Sequence, residues 1–423
     1  MSNTHNPLKT RKQRIKNALW GMFIGDALAM PAHWFYNLQN IKEVFDGGIQ
    51  GYNSAPHPHP ESFMVGMEYN PDVETANQLG RKYDILHEHA RFYRTSFSDL
   101  KITASDKESE HGHSVPELRE RFHYHHGLEA GENTLGAHLT RVLMRSVIQN
   151  GRYLPDAFLE AFIEHLTTPG KNHDPYTEIY IRRWFENYSR GLPPHACAER
   201  QSKVWSIGAH GGMIRPLVLS LLVDSSYQGL GLAVEHQNLT HRSENIVSGL
   251  GIMIPILKAL IDGADPAQTV TSHAAAVRAP RISGEELFQS YRDHHGPENI
   301  PKEQMWQLHT RLTESSFDVA RLAQEFGEEE VVRKLFATAC YPEHGLPLLL
   351  YLAMRHDFDL EDSLLANTNA GGDNVHRGMI LGMLLGAATE KIPERLVEGL
   401  TAHKELESEI NEFSGIALRG DAI

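Results

Sequence analysis

Four short stretches combine glycine, an acid or amide, and the start of an apolar run: GDALAMPAHW (25–34), EAGENTLGAH (129–138), SIGAHGGMIRP (206–216) and NAGGDNVHRG (369–378). Each reads as a loop feeding a helix N-terminus. Such an end leaves free N–H groups and a partial positive charge, so it attracts phosphate or carboxylate. Acids placed there can also hold a divalent cation through oxygen ligands. A plainer reading stands beside this one. Asn133, Thr134, Asp373 and Asn374 are all good N-caps, and Gly211-Gly212 suits a tight turn. Nine of the 26 histidines lie between 38 and 128, several as His-x-His pairs. They lack a second ligand pair at a fixed distance, so a surface or rim role is expected of them rather than a metal site. His87 and His89 fall in a stretch that reads as helical, where positions i and i+2 point apart.

The elements that carry these stretches repeat at three to four residues. ENTLGAHLTRVLMRSVIQNG sets Leu135, Leu139, Val142, Leu143 and Val147 on one stripe. It opens at Asn133 or Thr134 and closes at Asn150-Gly151. YTEIYIRRWFENYSRG, IRPLVLSLLVD, ENIVSGLGIMIPILKALIDG and GLPLLLYLAMRH read the same way, and strand patterns are scarce. The expected class is all-α, a single compact multi-helix domain over 1–423 with a polar, His-rich insertion at about 38–128. Two helices carry glycine every fourth residue: Gly21 and Gly25, and Gly378, Gly382 and Gly386. Each glycine costs about 1 kcal/mol against alanine in a helix, so close backbone packing in the core is expected, with Gly382 buried against 21–29.

Composition bounds the partners. The 423 residues are 41% apolar and 22% charged, as in ordinary globular chains. A net charge of −14 argues against a nucleic-acid backbone as partner. Cys197 and Cys340 are the only cysteines, so there is no disulfide framework. The N-terminus lacks an apolar core of signal-peptide length, and the run 379–388 is too short to span a bilayer. A cytoplasmic chain with no membrane partner is expected.

In this order the four stretches resemble the ADP-ribosylglycohydrolase family. That family opens on Gly-Asp-Ala-Leu-Gly-x-Pro-x-Glu, matched by GDALAMPAH. GENT stands at its Thr-Asp-Asp-Thr box, GGMIRPL at its Gly-rich turn, and LTHRSEN at its Ser-His or Thr-His helix start. GGDNVHRGMILGMLLGAATEKIPERL stands at its Gly-Gly-Asp-x-Asp-Thr motif and small-residue helix. The departures are as specific. His33 replaces a glutamate, Gly131, Glu132 and Asn133 stand for Thr-Asp-Asp, and Val375 and His376 stand for the last Asp and Thr. GENT and GGDNVHRG are similar to the jellyfish J-crystallin and selenoprotein J side of the family.

The resemblance implies hydrolysis of an ADP-ribosyl or related ribosyl N- or O-glycosidic bond. The alternatives are an inactive ligand-binding or crystallin-like structural protein, and a hydrolase of another small glycoside or nucleoside. Glu132 and Asp373 would position water, and His33 and His376 would handle protons. His210, Gly211, Gly212, His241 and Asn374 would hold an ADP-ribose-like ligand. The family's two Mg²⁺ ions lose too many ligands here. At most one divalent cation, on Glu132, Asn133 and Asp373, is expected.

Overall fold

Two helices, Pro7–Ala29 and Asn374–Ala388, form the axis of the molecule. In this computed structural model residues 7–62, 64, 67–94, 121–274, 278–279, 315–316 and 318–419 are described. The axial pair is antiparallel: Asn17 faces Gly386, Gly21 faces Gly382 and Gly25 faces Gly378. A Cβ on Gly382 would stand 2.0 Å from the Gly21 carbonyl oxygen, and one on Gly21 would stand 1.9 Å from the Gly382 oxygen. Only hydrogen fits there, so the two backbones touch. All residues from Asn374 to Ala387 are buried, which explains a helix with no polar face.

The other expected helices surround this pair: Leu135–Asn150, Ile179–Ser189, Ile214–Ser220, Glu244–Ile261 and Pro342–Arg355. The stripe of Leu135, Leu139, Val142, Leu143 and Val147 is buried as expected. Gly151 ends that helix at φ +67°, the left-handed geometry that glycine permits. Arg141 and Arg145 both grip Glu409, which ties Leu135–Asn150 to the helix His403–Ala417. Strands among the described residues are limited to three two-residue pairs. The fold is all-α around one main core.

Glu244–Ile261 is long and apolar enough, by length and composition alone, to cross a bilayer. The sequence reading rested on the run 379–388 and passed over this helix. Here 56% of it is buried, and near its end Lys258 donates to the carbonyls of Ser220 and Val223. It serves as a core helix.

The segment 38–128 contributes the short helices Leu38–Val44 and Val73–Gln78 and the 3-10 turn His87–Phe92. His87 and His89 thus sit in a 3-10 turn, not an α-helix, and reach separate carbonyls, of Leu166 and Asn172. His111 and His113 lie outside the described residues. The expectation of a surface role fails for His59, His123 and His125, all of which are buried. His59 and His123 donate through Nε2 to the carbonyls of His33 (3.0 Å) and Pro31 (3.1 Å). His59 and His123 therefore brace the chain that carries His33.

Candidate functional site

Backbone pairing brings the first and last glycine motifs together. Trp34 donates its N–H to Gly372 O at 2.8 Å, and Gly372 N–H donates to Phe35 O at 2.7 Å. Asp373 N–H donates to Thr338 O at 2.8 Å. Gly371 and Gly372 have φ of +63° and +65°, and a Cβ on them would stand 2.2 Å from Phe35 O and 2.1 Å from Thr338 O. Both the handedness and the squeeze require glycine. Beneath the loop the buried Arg377 donates to Asn367 Oδ1 (2.7 Å), Gly371 O (2.9 Å) and Thr338 O (3.2 Å).

On this loop Asp373 is fully buried and its side chain does not cap the helix that follows. It faces three imidazoles instead. His33 Nε2 lies 3.2 Å from Oδ1, His376 Nδ1 lies 2.8 Å from Oδ1 and 3.1 Å from Oδ2, and His210 Nε2 lies 3.7 Å from Oδ2. Each ring is held from behind. His33 Nδ1 meets His125 Nε2 at 2.6 Å, and His125 Nδ1 meets the Asp174 carboxylate at 2.9 and 3.0 Å. Asp174 also accepts the backbone N–H groups of Leu135 and Tyr176. His210 Nδ1 donates to Cys340 O at 2.7 Å. His376 Nε2 points to Glu178 Oε1 at 3.4 Å, and the Glu178 side chain is 15% exposed.

The charges follow from this packing. Burial raises the Asp373 carboxyl, but His376, His210 and the His33 hydrogen bond outweigh it and hold it well below the carboxylate range. Burial likewise lowers His376, but Asp373 and Glu178 outweigh it and hold the ring well above its ordinary value. Burial pushes His33 down to about 3 despite its bond to Asp373, and lowers His210 against the pull of Asp373. The site is thus an ion pair, Asp373 with His376, flanked by neutral imidazoles.

Three of the four glycine-bearing stretches meet at the His376 ring. A Cβ on Gly211 would lie 2.9 Å from that ring, and one on Gly136, in the first turn of Leu135–Asn150, 3.7 Å from Nε2. Of the sequence-expected residues, His33, His210, Asp373 and His376 share this cluster. The expected metal set of Glu132, Asn133 and Asp373 is divided. Glu132 Oε2 accepts the N–H of Glu129 at 2.7 Å, closing its own turn. Asn133 Nδ2 donates to Asp26 Oδ2 and Phe23 O, both at 2.9 Å. Among the expected ligand contacts, Gly212 N–H is engaged by Ala209 O at 3.0 Å, and a Cβ there would meet the His241 ring. His241 is buried against Tyr180, with Nδ1 2.9 Å from Thr240 Oγ1. Asn374 is buried and its amide donates to Thr368 O at 3.0 Å, fastening the loop rather than facing the cluster.

Five residues here were not singled out from the sequence: Asp26, His125, Asp174, Glu178 and Arg377. Asp26 accepts from Asn133 Nδ2, Thr134 N and Thr134 Oγ1, the last at 2.6 Å. Thr134, expected as a cap, makes no side-chain cap bond and spends its hydroxyl on Asp26. The available signal was two acids, Asp174 and Glu178, four residues apart around Pro175 where the helical pattern begins; the helix itself starts only at Ile179.

With this geometry in place, the comparisons define the class. The model of the ADP-ribosylglycohydrolase family matches residues 7–420. A solved structure described as an ADP-ribosylglycohydrolase-related protein complex superposes with a TM-score of 0.52 at 16% identity, covering 97% of this chain and 99% of that one. At that identity it shows the fold alone. A search of the curated proteins found no match. The chain belongs to the ADP-ribosylglycohydrolase family.

Proposed function

We propose that this protein hydrolyses an ADP-ribosyl or related ribosyl N- or O-glycosidic bond at the Asp373 cluster. Membership of a glycohydrolase family supports this substrate class. The observation that carries the chemistry is the place of the His376 ring, between buried Asp373 and the more open Glu178, with glycines 136 and 211 clearing its face. Cleavage at an anomeric carbon passes through an oxocarbenium-like state, with positive charge on the sugar and negative charge on the leaving atom. Glu178 is placed to take a proton from the attacking water, and the Nε2–H of His376 to give one to the leaving atom. Asp373 keeps that ring charged and oriented. Glu178 therefore takes the part first expected of Glu132, whose carboxylate is used in its own turn.

The family's pair of Mg²⁺ ions does not fit these residues. Mg²⁺ requires near-octahedral oxygen ligands. Asp26 is surrounded by three donors, Asn133 is turned toward it, and Asp373 faces nitrogen. Val375 is buried and apolar where the family has a second acid. No step of the proposed chemistry is therefore assigned to a Mg²⁺ pair.

Calorimetry with ADP-ribose and turnover of ADP-ribosylated arginine and serine peptides test the proposal. Glu178→Gln is expected to lower kcat by orders of magnitude with binding little changed, because the carboxylate acts mainly in the transition state. Binding without turnover would favour an inactive ligand binder or structural protein, the reading that the locked Asp26 supports. Neither binding nor turnover would point to another small glycoside.

A further inference from the structure

The hydrogen-bond directions around Asp373 leave a gap in the proton count. Cys340 O is a carbonyl oxygen and can only accept, so His210 carries its proton on Nδ1. Its Nε2 is then a bare lone pair, fully buried, with no hydrogen-bond partner and 3.7 Å from Asp373 Oδ2. On the other side, Asp174 already accepts two backbone N–H groups, so it is an acceptor and His125 carries its proton on Nδ1. His33 Nδ1 and His125 Nε2 share a proton at 2.6 Å, and His33 Nε2 lies 3.2 Å from Asp373 Oδ1. The His210 lone pair is thus aimed at a buried carboxylate, and in a low-dielectric interior that is repulsive unless positive charge sits between them.

We propose that His33 Nε2, His210 Nε2, His376 Nδ1 and Asp373 together bind one divalent transition-metal ion of the zinc class, in place of a pair of Mg²⁺ ions. His33, Asp373 and His376 offer ligand atoms within 4.8 Å of one another, and all three are buried. In a tetrahedral site with bonds of about 2.0–2.1 Å, neighbouring ligand atoms lie roughly 3.3 Å apart. From Asp373 Oδ1 the separations are 2.8 Å to His376 Nδ1 and 3.2 Å to His33 Nε2, near that edge; His210 Nε2 lies outside this set of three, 3.7 Å from the other oxygen, Oδ2, and would close in as the fourth ligand. Imidazole with one carboxylate selects zinc, cobalt, nickel or iron over magnesium. Metal-binding histidines also hold their second nitrogen on a carboxylate or carbonyl. Here His33 does so through His125 and Asp174, His376 on Glu178 and His210 on Cys340 O. Loading would displace the proton from His376 Nδ1 and leave Nε2–H facing Glu178.

This inference rests on the Asp373 cluster being the functional site, but its test does not require turnover. The full chain is stripped with a chelator and titrated with Co²⁺, followed by visible absorption and elemental analysis. The expected result is one equivalent per chain with the intense bands of low-coordinate cobalt, unaffected by millimolar Mg²⁺. His210→Asn is expected to change the spectrum and weaken binding at least tenfold, and His125→Asn to weaken it about 10–100-fold. With 26 histidines in the chain, surface binding is the alternative. A cobalt spectrum unchanged in His210→Asn and Asp373→Asn, or displacement by Mg²⁺, would overturn the proposal. If a variant fails to fold by circular dichroism, X-ray absorption of the zinc-loaded wild type decides. Three imidazole ligands support the site, and an all-oxygen shell removes it. Metal binding without turnover leaves this site standing and removes the hydrolase reading, whereas turnover with no bound metal does the reverse.

Discussion

Gly382→Ala isolates the contact that sets the axis of the fold. In an exposed helix this change stabilises by about 1 kcal/mol, through backbone entropy. At Gly382 the new methyl carbon would stand 2.0 Å from Gly21 O, 2.6 Å from Gly21 C and 3.3 Å from Met22 N. All three are backbone atoms, so no side chain can swing away. A carbon–oxygen contact needs at least about 3 Å, so the helices must part by about 1 Å over a closely packed length. Overpacking of this kind costs about 1–3 kcal/mol, occasionally more, which exceeds the propensity gain. Gly251→Ala is the internal control. Gly251 is exposed in the Glu244–Ile261 helix, and its Cβ would meet nothing within 4 Å. Urea unfolding should therefore lower the midpoint for Gly382→Ala and leave or raise it for Gly251→Ala, with the slope unchanged in both. A Gly382→Ala midpoint at or above wild type would refute the claim that the two backbones touch.

Two further outcomes follow from buried polar groups. His344 is fully buried, Nδ1 accepts the N–H of Ala337 at 2.9 Å, and Nε2 has no partner; burial lowers it to about 4. The unfolded chain takes up that proton near pH 6.5 and the folded chain only near 4, so stability is lost as pH falls through that window. His344→Gln should flatten the slope there by about 1.4 kcal/mol per pH unit, read from urea midpoints, and an unchanged slope would exclude the assignment. Arg377→Met should leave the Gly371 carbonyl and the Asn367 side-chain oxygen, both in buried residues, without their donor, while Thr338 O keeps the N–H of Asp373. A loss of roughly 1–3 kcal/mol per abandoned acceptor is expected in thermal unfolding, and a stable variant would show that the guanidinium is not what holds the loop.

The fold was legible because its signals are local. The stripe on Leu135–Asn150 and the glycine spacing each state a face, and a face needs only one helix to read. The site was legible in part. His33, His210, Asp373 and His376 sit on motifs whose chain order is shared with a known family, so they could be singled out at once. What they do was harder to see, because it depends on which nitrogen faces which oxygen. Asn133 shows the limit. Its position suggested an oxygen ligand, yet one hydrogen bond turns it to Asp26, an acid about a hundred residues earlier in the chain. His125 shows the converse, a histidine in a stretch without helical period that becomes the link between His33 and Asp174.

Those two displacements are connected. Asp26 with Thr134, and Asp174 with Leu135, both anchor the start of the Leu135–Asn150 helix. A carboxylate that accepts three donors is no longer free to bind a hard cation, and burial raises Asp26 while those bonds oppose it. Asp373 differs in facing nitrogen: His33 Nε2 and His376 Nδ1 lie 3.2 and 2.8 Å from its Oδ1. Each of those rings is held in turn from behind, His33 by His125 and His376 by Glu178, and pairing of this kind offsets the cost of burying so many polar groups around one carboxylate.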